Sequence, residues 1–305
     1  MSRDSKRPLT DQVAVVTGAS RGAGRGIALE LGAAGATVYV TGRSTRDSPG
    51  AGYERFLPLL GLEAPPGTID DTAEEVSRMG GKGIPVRCDS TVESDVDALF
   101  QRVAREQGGR LDLLVNNAWG GHQDAAHIVR PFWELPTTFW DGMFQAGVRN
   151  HILAAKYAAP LMITRGSGSI ITITFWDRDR YTGHFYYDLA KASMTRLSYG
   201  LAQELRPHRI AAVAVSPGWM RTEFVLAGHN TDEEHWREVP ALAGTESPRY
   251  VGRAVVALAA DPEVLNKSGQ VYRVGDLAIE YDFTDVDGRR VPPFELPDTA
   301  TSPGR

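Results

Sequence analysis

Val13-Ala-Val-Val-Thr-Gly-Ala-Ser-Arg-Gly-Ala-Gly-Arg-Gly-Ile-Ala-Leu-Glu-Leu31 reads as a strand, a turn and a helix in direct succession. The apolar run Val13 to Val16 gives a short buried strand that stops at Thr17-Gly18. Gly18, Gly22 and Gly24 punctuate a tight turn, and Ile27, Ala28 and Leu31 then recur as on one helical face. Glycines let the backbone turn sharply and approach a pyrophosphate. The free N–H groups and positive dipole end of the following helix meet the charge. Three spaced glycines alone say little; with a strand before and a helix after, they point to dinucleotide binding. Thr17, Gly18, Ser20, Arg21, Gly22 and Gly24 are the candidate cradle residues.

Outward from this unit, strands are expected over 37–41, 83–88, 111–115, 168–174, 210–215 and 270–274. Helices are expected over 70–79, 92–107, 139–165, 186–205 and 248–260. Such alternation implies parallel βαβ units covered on both faces. The expected fold is α/β: a single Rossmann domain with a doubly wound, seven-stranded parallel sheet, its core spanning about 10–275. The proline- and glycine-rich stretch 44–68 exceeds the usual connection length and reads as an ordered surface flap. A polar tail runs over about 276–305. The chain of 305 residues is long enough for an unaided core, and its net charge of −5 carries no basic run to engage nucleic acid. No window is long and apolar enough to span a bilayer. Cys88 is the sole cysteine, which excludes an internal disulfide and suits a reducing compartment. A cytoplasmic protein without membrane or nucleic-acid partners is expected. The histidines show no paired ligand spacing with cysteine or carboxylate, so no metal is expected.

In open α/β sheets, ligands sit beyond the carboxyl ends of the strands. That rule selects, besides the cradle, Arg43, Asp89, Asn116-Asn117-Ala118, Thr174-Phe175 and Pro217-Gly218. Arg43, directly after the second strand, is placed to meet a ribose 2′-phosphate, and Arg21 adds a second guanidinium; NADP(H) is the expected cofactor. Tyr187 and Lys191 lie one helical turn apart on one face. A neighbouring ammonium brings a phenol closer to its working range as an acid or base.

Four motifs resemble, in order and spacing, those of the classical short-chain dehydrogenases/reductases over about 10–275. They are Thr17-Gly18-x-x-x-Gly22-x-Gly24, Asn116-Asn117-Ala118, Tyr187-x-x-x-Lys191 and Pro217-Gly218-x-x-x-Thr222. Thr41-Gly-Arg43, Cys88-Asp-Ser90 and Asp285-Val-Asp-Gly-Arg289 resemble the narrower branch typified by dehydrogenase/reductase family member one. The resemblance implies NADP(H), carbonyl–alcohol interconversion on a small molecule, and a homodimer or homotetramer. By this resemblance Tyr187 is the general acid, and Lys191 lowers its pKa and binds the nicotinamide ribose. Asp89 touches adenine, Asn116 steadies the central strand, and Thr222 reaches the nicotinamide amide.

Two positions depart from the family pattern. Phe175 stands where a serine normally holds the substrate oxygen, leaving Thr174 as the candidate replacement donor. Gly147 stands where an asparagine is usual, with Asn150 nearly on the same helical face. Trp119, Trp133, Trp176, Tyr181, Phe185, Tyr186, Trp219 and Phe224 suggest an apolar or aromatic substrate cavity, and the run 177–180 reads as a solvated charged turn. The leading expectation is an NADP(H)-dependent oxidoreductase. The alternatives are a cofactor binder with little turnover, or non-redox chemistry on the same fold.

Overall fold

The protein is described by a computed structural model over residues 7–49, 57–61, 66–121, 130–178 and 180–296. Its strands are β1 (Val13–Val16), β2 (Thr37–Gly42), β3 (Lys82–Arg87), β4 (Leu113–Asn116), β5 (Gly168–Ile173), β6 (Ile210–Ser216) and β7 (Val271–Arg273). They form one parallel sheet in the order β3-β2-β1-β4-β5-β6-β7. The order reverses between β1 and β4, which opens a crevice at their carboxyl ends.

The alternation of side chains along each strand divides the interior into two layers. Ala14 and Val16 face a cluster completed by α1 (Gly22–Ala33), α2 (Ile69–Arg78), α7 (Pro248–Ala260) and α8 (Val274–Glu280). Val13 and Val15 face the opposite cluster, built with α3 (Glu93–Glu106), α4 (Asn150–Arg165) and the end of α5 (Phe185–Leu205). A short α6 (Glu223–Gly228) follows β6. The doubly wound, seven-stranded parallel sheet is as expected, with element ends shifted by a residue or two.

Three segments differ from the sequence reading. The helix expected over 139–165 is α-helical only in α4, and Asp141–Arg149 before it is a π-helix. Its wider ladder leaves Asn150 Nδ2 to donate to the carbonyls of Ala146 (2.9 Å) and Ala118 (3.2 Å). Of the expected flap, 50–56 and 62–65 lie outside the described residues, and Leu57–Leu60 is a single 3-10 turn. Of the expected tail, 297–305 lies outside the described residues, and the rest packs into the domain: Leu277, Ala278 and Val291 join the first core layer, and Asp285 is fully buried. Periodicity cannot announce such a segment, because 281–296 has no regular secondary structure and is held by side chains far away in sequence.

Candidate active site

The glycine turn is closed from both sides of the crevice. Thr17 Oγ1 accepts the N–H groups of Asn117 (2.9 Å) and Ala118 (3.1 Å), while Asn117 Nδ2 donates to the carbonyls of Thr17 and Gly18. A Cβ on Gly24 would run into the Gly18 carbonyl and the Asn117 amide, so this approach requires glycine. Asn117 and the Ala118 N–H, rather than Asn116, therefore tie the turn to the end of β4. The repeated Asn-Asn could have revealed it, since one of the pair had to face the turn. Asn116 lies beneath, with Nδ2 donating to the His151 carbonyl at 3.1 Å.

At the amino end of α1 the Gly22 N–H donates to the Glu223 carboxylate at 2.8 Å. An acidic oxygen thus stands where unpaired amide groups and the helix dipole favour an anion. The cradle accordingly fits a phosphate, with Ser20 and Gly22 on its wall.

Arg21 and Arg43 border the same cleft, of about 450 Å³, but they do different things. Arg21 is buried; its guanidinium donates to Ser44 Oγ and to the Pro66 and Gly67 carbonyls at 2.8–2.9 Å. It anchors the two ends of the 44–68 segment, correcting the expectation of a second guanidinium directed at a 2′-phosphate. Arg43 keeps about a third of its side chain exposed and pairs loosely with Asp89 at 3.9 Å. Asp89 Oδ1 in turn accepts the backbone and hydroxyl hydrogens of Thr91.

His184 caps α5 by accepting the Tyr187 N–H at its Nδ1 (3.1 Å), so Tyr187 falls in the first turn with Lys191 one turn beyond. Both side chains reach the cleft, as do Ala118, Thr174, Pro217, Gly218 and Thr222. Lys191 Nζ lies 5.4 Å from the Tyr187 ring and 3.9 Å from the Trp119 ring. Burial dominates both titrations. It pushes the Tyr187 phenol well above its ordinary value and pulls the Lys191 ammonium down to about 7. This reverses the expected sign at Tyr187: in the protein alone, desolvation outweighs any help from the lysine.

Thr174 does not supply the expected substrate donor. Its hydroxyl donates to the Lys191 carbonyl at 3.0 Å, locking β5 to α5. Phe175 turns to the cleft instead, its ring 6.2 Å from that of Tyr187 and 5.8 Å from Phe294. Phe294 belongs to the segment misread as a tail. Asp177, expected in a solvated turn, is 2% exposed and accepts the Leu296 N–H, fastening that segment to the loop after β5. Asp179 lies outside the described residues. Of the aromatic set, Trp119 and Phe224 line the cleft, whereas Trp133, Tyr181, Phe185 and Trp219 are exposed.

The enoyl-(acyl carrier protein) reductase family model matches residues 64–274. The mouse dehydrogenase/reductase SDR family member 1 is 41% identical over 290 residues, covering 93% of this chain and 86% of that protein. The chain belongs to the short-chain dehydrogenase/reductase family. Membership makes it an oxidoreductase of small molecules that binds a nicotinamide cofactor. A Synechocystis 3-oxoacyl-[acyl-carrier-protein] reductase is 29% identical over 267 residues, 87% of this chain and 96% of that protein. Among solved structures, a Mycobacterium thermoresistibile short-chain dehydrogenase superposes with TM-score 0.76 at 25% identity, over 97% of this chain and 98% of that one. A hydroxysteroid dehydrogenase from Escherichia coli gives 0.68 at 25%, over 89% and 98%. Among the described residues, no helix of this short-chain dehydrogenase/reductase is long and apolar enough to cross a membrane.

Proposed function

We propose that the protein is an NADP(H)-dependent oxidoreductase that interconverts a ketone or aldehyde with an alcohol on a small, largely apolar or aromatic substrate. The observation that carries this reading is the placement of the Tyr187 phenol and Lys191 ammonium in the cleft headed by the glycine turn. A nicotinamide held there would supply or accept the hydride. Tyr187 gives its proton to the carbonyl oxygen, and its raised pKa keeps that proton in place throughout the neutral range. Lys191 would hold the nicotinamide ribose, Asp89 would meet adenine, and Pro217, Gly218 and Thr222 would hold the nicotinamide end. The relatives named as a 3-oxoacyl reductase and a hydroxysteroid dehydrogenase support carbonyl–alcohol chemistry. A cytoplasmic homodimer or homotetramer completes the proposal; exposed Ile152 and Ile163 on α4 and Leu189 and Tyr199 on α5 support self-association.

Arg43 supports NADP(H) over NAD(H), because its part-exposed guanidinium sits at the end of β2. Losing one charge-assisted contact costs about 1.5–3 kcal/mol. Arg43→Ala should therefore raise the KM for NADPH by about 10–100-fold and leave that for NADH within a few-fold. Nicotinamide absorbance across a carbonyl panel reads both. A wild type that oxidises NADH as readily as NADPH would reject the cofactor assignment.

Phe175 favours one second reading: a cofactor binder with little turnover. Removal of a single preorganised donor lowers rates by on the order of 10²–10³-fold. Phe175→Ser is accordingly expected to raise kcat on unactivated ketones by about 10–100-fold. Electron-poor carbonyls should gain less, because they depend less on the second donor. Tight NADPH binding without oxidation by any carbonyl, in the wild type and in Phe175→Ser alike, would select the binder.

A further inference from the structure

We propose that Trp119 is a positioning residue for Lys191. Its indole, seated on the bare Cα of Gly147, holds the lysine ammonium on its π face and meets the Tyr187 ring nearly at right angles. The role of Lys191 in turnover rests on the function proposed above, whereas the seat itself is a property of the protein alone.

Lys191 Nζ is buried, and among the described residues the hydrogen bond it makes is to a soft acceptor, Met194 Sδ at 3.9 Å. An ammonium taken from water without an oxygen partner is strongly disfavoured. The group facing it is the Trp119 ring, with Nζ 3.9 Å from the centroid; tryptophan offers the best aromatic face to a cation. The same indole meets Tyr187 nearly at right angles, at 85° and 5.7 Å between centroids. One side chain thus touches both members of the pair. Among the described residues a further titratable neighbour is His151, whose ring is neutral because burial and the Lys191 charge push it down to about 3.

Gly147 makes the seat possible. A Cβ built there would stand 2.6 Å from Trp119 Cζ3 and 2.8 Å from Cε3, well inside contact distance. The departure at Gly147 and the tryptophan at 119 are therefore one packing unit: the ring fills the space a side chain at 147 would take. Asn150, one turn on, is directed elsewhere, its amide donating to Ala118 and Ala146.

The test reads Lys191 directly. The chain has only five lysines, so the Cε signals of 13C-lysine protein are separable, and Lys191→Gln assigns the one of interest. In protein without cofactor, Trp119→Leu keeps apolar volume but removes the π face. It should move the Lys191 titration to lower pH by about one unit, the size expected of a desolvated cation–π contact. Trp119→Phe, which keeps a ring, should restore most of the shift. Gly147→Ala, which drives the indole off its seat, should move the titration in the same direction as Trp119→Leu. A titration unmoved in Trp119→Leu and Gly147→Ala, or moved equally by Leu and Phe, overturns the proposal. An enzyme inactive on every carbonyl that still shows the shift retains the seat and loses the reductase reading. An active enzyme whose Lys191 titration ignores Trp119 does the reverse.

Discussion

Tyr187→Phe is expected to lower kcat for carbonyl reduction by on the order of 10³-fold, leaving the KM for NADPH within a few-fold. The substitution removes one oxygen and keeps the ring, so the edge contact with Trp119 and the packing on Phe175 persist. What is lost is the proton that the raised phenol holds ready. With Phe175 in place of a polar side chain and the Thr174 hydroxyl spent on the Lys191 carbonyl, no neighbouring hydroxyl among the described residues takes over. The pH profile supplies a second check. kcat/KM reports the titrations of the free protein. Lys191, depressed to about 7, is charged below that pH and loses its charge as pH rises through it. Tyr187 stays protonated over the same window. kcat/KM should therefore be highest below about pH 7 and fall as pH climbs past it. Full activity in Tyr187→Phe, or a kcat/KM that rises through this range, would remove Tyr187 and Lys191 from their assigned roles.

Arg221→Met should lower stability by about 3–5 kcal/mol, a fall in Tm of roughly 5–10 °C for a chain of this size. Arg221 is the largest fully buried side chain among the described residues. Its guanidinium pairs with Glu233 at 3.0 Å, Asp285 at 3.4 Å and Asp287 at 3.5 Å, and lies over the Trp236 ring. Methionine fills much of the space but leaves Asp285, wholly buried, without its counter-charge. Asp285 also accepts the Ser247 N–H at 2.7 Å, so the imbalance reaches the cap of α7. The site would feel it too, because Arg221 lies between the Pro217-Gly218 turn and Thr222. Adding Asp285→Asn should recover part of the loss by removing the orphaned charge. Thermal or urea unfolding of both variants checks this; a single variant as stable as the wild type would show that the ion pairs only balance their own desolvation.

The local parts of the site were legible in the chain. A strand, a glycine turn and a helix are adjacent in sequence, and a tyrosine and lysine one turn apart share a helix face through helical geometry alone. What failed to show were placements set by partners far along the chain. Arg21 looked like a phosphate ligand, yet the carbonyls of Pro66 and Gly67 claim it. Asp177 looked solvated, yet the Leu296 backbone buries it. Phe294 looked like tail, yet its ring packs against that of Phe175.

By itself, the sequence determined the alternation of strands and helices, the parallel sheet and the residues at its carboxyl edge, since periodicity and turn chemistry are local. Only the tertiary structure decided which of those side chains remain available, because a hydrogen bond or a ring contact made across a hundred residues leaves no periodic trace. The unity of Trp119 and Gly147 is of that kind: two positions 28 apart whose meaning appears when the indole is seen to occupy the space of the missing Cβ.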